Sequence, residues 1–453
     1  MQRERLGSRL GFILLSVGCA IGIGNVWKFP YIVGQNGGGV FVLIYIFFLA
    51  IIGVPVLTME FSLGRAAQKS PVRLYQKLEP KGSKWHIHGY FSLIGSYLLM
   101  MFYTIVTAWM LMYFIKSAQG VFAGADAEAV KQIFSEVQGN PLPLVLFVGI
   151  VVFVGFGVCA IGVQKGLERI TKVMMLILLS IMIILAVHSI TLEGGSEGLK
   201  FYLKPDFQKM KEIGVGEVIV QAMNQAFFTL SLGLGSMAIL GSYIGKERAL
   251  LGEAVNVAVL DTFVAFVAGL IIFPACLAYG VQPDSGPGLI FITLPNIFNH
   301  LAGGRFWGSM FFVFMSFAAL STVFAVFENI VSCVMDLTNW SRKKSCLING
   351  IVMFFLSLPC IFGFSLWKGF QPLGAGSNIM DLEDFLVSNF LLPIGSLLFI
   401  LFCVCRYGWG WKNFTAEANS GKGLKIQNWM RGYMTFVLPI VTAVIFVIGL
   451  VGR

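Results

Sequence analysis

Two short stretches of this chain set glycines and polar side chains inside otherwise apolar runs. GCAIGIGNVWKFP, from Gly18 to Pro30, holds Gly22-Ile23-Gly24 followed by Asn25. FFTLSLGLGS, from Phe227 to Ser236, holds Gly233-Leu234-Gly235 preceded by Thr229 and Ser231. Glycine weakens a helix by about 1 kcal/mol relative to alanine, so a close pair marks a place where backbone can leave the ladder. Carbonyl oxygens freed there can replace water around a hard cation such as sodium. Freed amide groups at a positive dipole end can hold a carboxylate. Ser321 and Thr322, in FAALST, could add oxygens to such a cage. Asp261 lies in VAVLDTFVAFVAGLIIF. An acid in so apolar a run is costly unless it is paired or faces a polar cavity. Each feature alone has a plainer reading. Gly-x-Gly also serves close helix packing, Ser and Thr often bond their own backbone, and Asp261 could hydrogen-bond a neighbouring helix as a neutral acid. The repetition of the interruption in two places argues for a cavity.

The elements that would hold these residues follow from composition. The chain has 453 residues, 57% hydrophobic and only 12% charged, against about 25% charged in soluble proteins. Apolar runs of about 20 residues, enough to cross a bilayer, lie near 10–31, 38–64, 89–116, 142–162, 168–191, 216–242, 253–280, 306–335, 346–364, 383–405 and 432–451. The expected fold is therefore an all-α integral membrane protein of eleven transmembrane helices in one domain. Connections at 117–141 and 192–215 read as solvated loops. The net charge of +10 would suggest nucleic acid in a soluble protein, but here it belongs to cytoplasmic loops and no nucleic-acid partner is expected. With the N-terminus inside, 22 of the 32 Lys and Arg face the cytoplasm, as the positive-inside rule requires. An odd helix count then puts Arg453 outside a plasma membrane. No removable signal peptide is expected. The eight cysteines show no zinc or disulfide spacing and read as packing residues. No nucleophile, base and orienter set suggests an enzyme.

Each Gly-x-Gly stretch is the first span of a five-helix half. Corresponding interruptions in two halves point to an inverted repeat with its site at the membrane midplane. The expected repeats are 10–191 and 216–405, with 432–451 as an added helix.

At these residues the chain resembles the neurotransmitter:sodium symporter family. RLGFILLSVGCAIGIGNVWKFPY, NGGGVF, FFTLSLGLGS and SFAALST carry the resemblance, which extends over nearly the whole chain. It is similar in particular to short bacterial members with eleven helices instead of twelve, which carry hydrophobic amino acids. The resemblance implies unwound first and sixth helices and two sodium sites. Ala20, Asn25 and Thr229 match ligands of the first, where the substrate carboxylate completes the shell. Gly18, Ile21, Ala318, Ser321 and Thr322 match the second. Ile23, Gly24 and Tyr103 match groups that hold the carboxylate, beside Gly22. Monoamine-carrying members have an aspartate where this chain has Gly22, which argues for whole amino acids. The side-chain pocket is expected to involve Leu99, Phe228, Ser231, Leu234, Thr322 and Val326. Lys28 and Asp384 match an outer charged gate under which Tyr103 and Phe228 form a lid. Arg3, Tyr243 and Asp336 match an inner gate. The ordinary alternative for Lys28 and Arg3 is interfacial snorkelling. Asp261 falls at, or within one residue of, a family sodium-ligand position. Its carboxylate would supply the charge that chloride supplies in animal members, and proton exchange on the return step becomes possible.

Two departures stand out. The family often has proline in the fifth helix, ten positions after a glycine, where this chain has Leu176 after Gly166. Leucine keeps the hydrogen bond that proline removes, which puts easy unwinding there in doubt. Leu6 also stands where some relatives have a tryptophan plug. The reading is sodium-coupled, chloride-independent symport of hydrophobic L-amino acids by alternating access, for which a monomer suffices. The rivals are a cation channel and a carrier of another small carboxylate-bearing solute.

Overall fold

The computed structural model describes residues 4–280 and 288–451, and among them the chain is helical throughout, with two isolated backbone bridges. Nine helices among the described residues are long and apolar enough to cross a membrane. A tenth span comprises Arg9–Ala20 and Gly24–Gln35, bent by 58° at the break between them. The remaining expected span is divided into Val215–Thr229 and Ser236–Gly241. Counted as one crossing, it completes the eleven. Neither part is long enough alone, because about 20 residues are needed. The expected stretches at 10–31 and 216–242 thus coincide with the two broken segments.

The two breaks have different causes. In the second, Ser231, Gly233 and Gly235 have φ of 50°, 95° and 76°. Glycine adopts this left-handed region freely, whereas Ser231 carries a strain of about 1–2 kcal/mol. The first break has no positive φ among Ile21–Gly24. The helix ends at Ala20 because Ile21 turns extended, with φ −68° and ψ 101°. Gly22 and Gly24 serve close approach instead. A Cβ on Gly24 would lie 2.7 Å from the Phe228 ring, and one on Gly22 would overlap the Tyr103 hydroxyl and sit 2.9 Å from Thr322 Oγ1.

Backbone released at this depth must find partners within the protein. The Gly233 amide donates to Glu60 Oε1 at 2.7 Å, and the Asn329 amide donates to the Leu234 carbonyl at 3.1 Å. The Ser231 hydroxyl donates to the Cys19 carbonyl at 3.3 Å, tying one break to the other. Two long helices, Ile87–Gln119 and Gly304–Thr338, pack along each other beside the breaks and supply Tyr103 and Thr322.

The connections at 117–141 and 192–215, read as solvated loops, contain short helices. They hold Ala127–Gly139, Gly195–Leu203 and Phe207–Ile213, with Asp126 and Asp206 capping two of these helices. Their amphipathic patterning is too short to register as a span. A further short segment, Leu289–Thr293 with Leu294–His300, wedges Phe291 between Tyr113 and Phe134. Leu176 lies in the uninterrupted Arg169–Ile190 helix. The loosened turn of that span is instead Val163–Glu168, which follows Gly162 at φ 113°. All eight cysteines are free, and seven are buried.

Candidate functional site

Three residues from three spans meet at the first break. Asn25 Nδ2 donates to Asp261 Oδ1 at 2.7 Å and to Thr229 Oγ1 at 3.0 Å. The Thr229 hydroxyl donates to Asp261 Oδ2 at 2.8 Å. Tyr45 adds a hydroxyl 3.3 Å from Thr229 Oγ1. Asn25, Thr229 and Asp261 are all buried, and Asp261 is fully so. Among the described residues no Lys, Arg or His pairs with Asp261 within 4 Å. A buried carboxylate among neutral donors alone is costly, so the cluster is suited to a cation. Ala20 is the last residue of its helix, so its carbonyl stands at the helix end where intrahelical donors run out.

A second oxygen cluster joins the last turn of Arg9–Ala20 to Gly304–Thr338. The Thr322 hydroxyl lies 3.3 Å from the Gly18 carbonyl and 3.1 Å from that of Ile21. The Ser321 hydroxyl donates to the Ala318 carbonyl at 2.9 Å. Gly18 makes this approach possible, since a Cβ there would lie 3.2 Å from Ser321 Cβ. These oxygens are neutral and buried, a donor set suited to a hard monovalent cation.

Between the clusters the Ile23 amide donates to the Tyr103 hydroxyl at 3.1 Å. Leu99, Leu234 and Val326 are buried around this region, and Phe228 is half-buried. Leu234 fits because Gly95 has no side chain; a Cβ there would lie 2.5 Å from Leu234 Cδ2. Above them opens a cavity of about 250 Å³ lined by Ile23, Gly24, Tyr103, Phe228, Lys28, Asp381 and Asp384, with further mainly apolar groups. Lys28 and Asp384 share this cavity without forming an ion pair. The Lys28 amine sits 3.9 Å from the Phe228 ring centroid, and Asp384 accepts from the Ser388 hydroxyl at 2.7 Å.

On the opposite side the N-terminal segment crosses the bundle. The Leu6 amide donates to the Tyr243 carbonyl at 3.1 Å, and the Gly7 amide to Glu168 Oε2 at 2.7 Å. Asp336 accepts from the Ser70 amide at 2.8 Å, with Lys69 at 3.7 Å. Arg3 lies outside the described residues.

The sequence model described as the Sodium:neurotransmitter symporter family matches residues 3–132 and 128–452. The chain belongs to this family. An uncharacterized sodium-dependent transporter of Bacillus subtilis (strain 168) is 34% identical over 98% of this chain and 97% of its own. A sodium-dependent serotonin transporter of Drosophila melanogaster is 27% identical, over 99% of this chain and 77% of its own. The crystal structure of MhsT in complex with L-phenylalanine is similar at a TM-score of 0.87 and 37% identity, covering 98% of this chain and 99% of that one. The symporter is thus a sodium-dependent membrane transporter and not an enzyme.

Three acids of the symporter's interior were missed in the sequence. Glu60 holds the second break through Gly233. Glu328, fully buried, accepts from Tyr243 at 2.5 Å and pairs with Arg342 at 2.7 Å. Glu168 anchors the N-terminal segment through Gly7 and the Ser8 hydroxyl. Glu60 and Glu328 stand in apolar runs, in TMEFS and VFENI. That is the same signal that singled out Asp261. Glu168 gave no such signal, because it follows Lys165 near a helix end.

Proposed function

We propose that the chain couples sodium to the uptake of hydrophobic L-amino acids, aliphatic and aromatic, by alternating access and without chloride. One observation carries this reading: the Ile23 amide and Tyr103 hydroxyl meet beside the Asn25–Thr229–Asp261 cluster, next to a position where only glycine fits. A free carboxylate would take the donors at Ile23 and Tyr103, and the first sodium would lie between it and the oxygens of Ala20, Asn25, Thr229 and Asp261. The second sodium would take Gly18, Ile21, Ala318, Ser321 and Thr322. The side chain would then lie among Leu99, Phe228, Ser231, Leu234 and Val326, which are apolar but for one hydroxyl. The phenylalanine bound to MhsT is consistent with this chemistry.

In this reading Asp261 supplies a fixed negative charge near the first sodium, so no chloride is required. Lys28 and Asp384 close the outer cavity by leaving Phe228 and Ser388 for each other. A wet ion pair is worth only about 0–1 kcal/mol, which suits a latch that opens each cycle. Arg3, Tyr243 and Asp336 close the inner side. Segments 10–191 and 216–405 act as inverted repeats, with the N-terminus inside, the C-terminus outside, and the monomer as the working unit. Binding of labelled phenylalanine and leucine to the purified protein tests the reading. Binding should require sodium, persist in sodium gluconate and be absent in potassium chloride. Equal binding in potassium chloride would overturn it.

A further inference from the structure

A groove of about 390 Å³ opens between the Pro141–Ile161 and Arg342–Gly363 helices, on the flank of the bundle and away from the clusters described above. Its floor is Val152, Phe156 and Cys346, all buried. Phe156 is fixed there by stacking on Phe327, with ring centroids 4.0 Å apart. The depth exists because side chains are absent where they would fill it. A Cβ on Gly157 would meet nothing within 4 Å. The rims Phe153 and Leu347 are 80% and 67% exposed. Both helices are apolar enough to span a membrane, so these rims face hydrocarbon.

One charged residue lines the groove, Lys343 at its end. It is exposed and pairs with no acid among the described residues. Lys344 beside it rests 4.6 Å from the Trp340 ring centroid. This is the side on which the N-terminal segment lies, since Arg342 pairs with Glu4 at 3.4 Å. An apolar trough ending at the unpaired Lys343 ammonium asks for a molecule with a hydrocarbon chain and an anionic head. Basic sites between transmembrane helices on the cytoplasmic side select anionic lipid head groups.

We infer that the groove holds an acyl chain of one anionic phospholipid of the inner leaflet, with its phosphate against Lys343. The leaflet assignment rests on the proposed orientation; the lipid chemistry does not. A free phosphate would leave the trough unfilled, and a neutral head group would leave Lys343 without a counter-charge.

Native mass spectrometry of the full chain tests this, after reconstitution in equal phosphatidylglycerol and phosphatidylcholine and mild delipidation. One phosphatidylglycerol per chain should be retained in preference to phosphatidylcholine. Lys343→Gln, an exposed position that does not endanger folding, should reduce that preference about fivefold. Gly157→Leu should fill the trough and lose retention of both lipids, with sodium-dependent substrate binding unchanged as the check on folding. Equal retention of the two lipids, a preference unchanged in Lys343→Gln, or retention that survives Gly157→Leu would overturn the inference. So would a dimer abolished by Gly157→Leu, which would assign the groove to a second copy.

Discussion

Asn25 and Asp261, 236 residues apart, are joined by a 2.7 Å hydrogen bond from the Asn25 amide to the Asp261 carboxylate. Asn25 lies just past the first break, and Asp261 in an unbroken helix. Thr229, at the edge of the second break, bonds both. The cluster therefore registers the position of both broken spans against a fixed element.

Asn25→Ala removes one oxygen from the proposed first sodium site and one donor from Asp261. Loss of a buried partner costs about 1–3 kcal/mol, or roughly tenfold in affinity. In the proposed arrangement sodium and substrate share the site, so both affinities should fall together, because coupling is reciprocal. Titrations of sodium against labelled leucine measure this. Retention of both affinities would remove Asn25 from the site.

Much of this arrangement is legible in the sequence because apolar runs expose their exceptions. Gly233 and Gly235 mark the second break and take the left-handed backbone it needs. Gly22 and Gly24 mark the first break for another reason, their fit against Tyr103, Thr322 and Phe228. Local patterning cannot separate backbone freedom from close approach. Glu60 and Glu328 are legible by the signal that marks Asp261, an acid in an apolar run, but their partners, Gly233 and Arg342, 173 and 14 residues away, are not. The short connecting helices escaped for a similar reason. Phe291 is apolar like any span residue, and only its seat between Tyr113 and Phe134 shows that it belongs to a wedge.

Leu234 reaches toward Gly95 from the second break. Leu234→Phe adds volume in a closely packed place, so preference should move from aromatic toward smaller aliphatic amino acids. One methylene in an apolar pocket discriminates by about 1–3 kcal/mol, and a ring by at least that. Competition of tryptophan against leucine reports the change. An unchanged ratio would place Leu234 outside the substrate pocket.

Leu176 sits in continuous helix, while the span's loose turn is at Val163–Glu168. Leu176→Pro would remove a backbone hydrogen bond at a cost of about 3 kcal/mol and extend the loosening. Hydrogen exchange over residues 166–176 should rise, and turnover should quicken if opening there limits sodium release. Slower transport by a folded variant with no rise in exchange would refute this.

Asp261 is fully buried with two neutral side-chain donors, Asn25 and Thr229, on its carboxylate and no cationic partner among the described residues. If its carboxylate supplies the charge near sodium, replacing chloride by gluconate should leave wild-type uptake unchanged. Asp261→Ser should lose uptake or make it respond to chloride, since charge is poorly screened at such a site. A chloride-dependent wild type, or a fully active and chloride-insensitive Asp261→Ser, would contradict that role.

The central claim is that sodium flow drives a hydrophobic amino acid through this chain. Proteoliposomes with an inward sodium gradient and labelled phenylalanine outside test it most directly. Each sodium charge crossing 100 mV contributes about 2.3 kcal/mol, so an interior-negative potential should increase accumulation. The account predicts uptake above the external concentration that collapses when sodium is equal on both sides and the potential is zero. It also predicts counterflow into vesicles preloaded with unlabelled phenylalanine. Equilibration that never exceeds the external concentration, with no response to sodium and no counterflow, would contradict it.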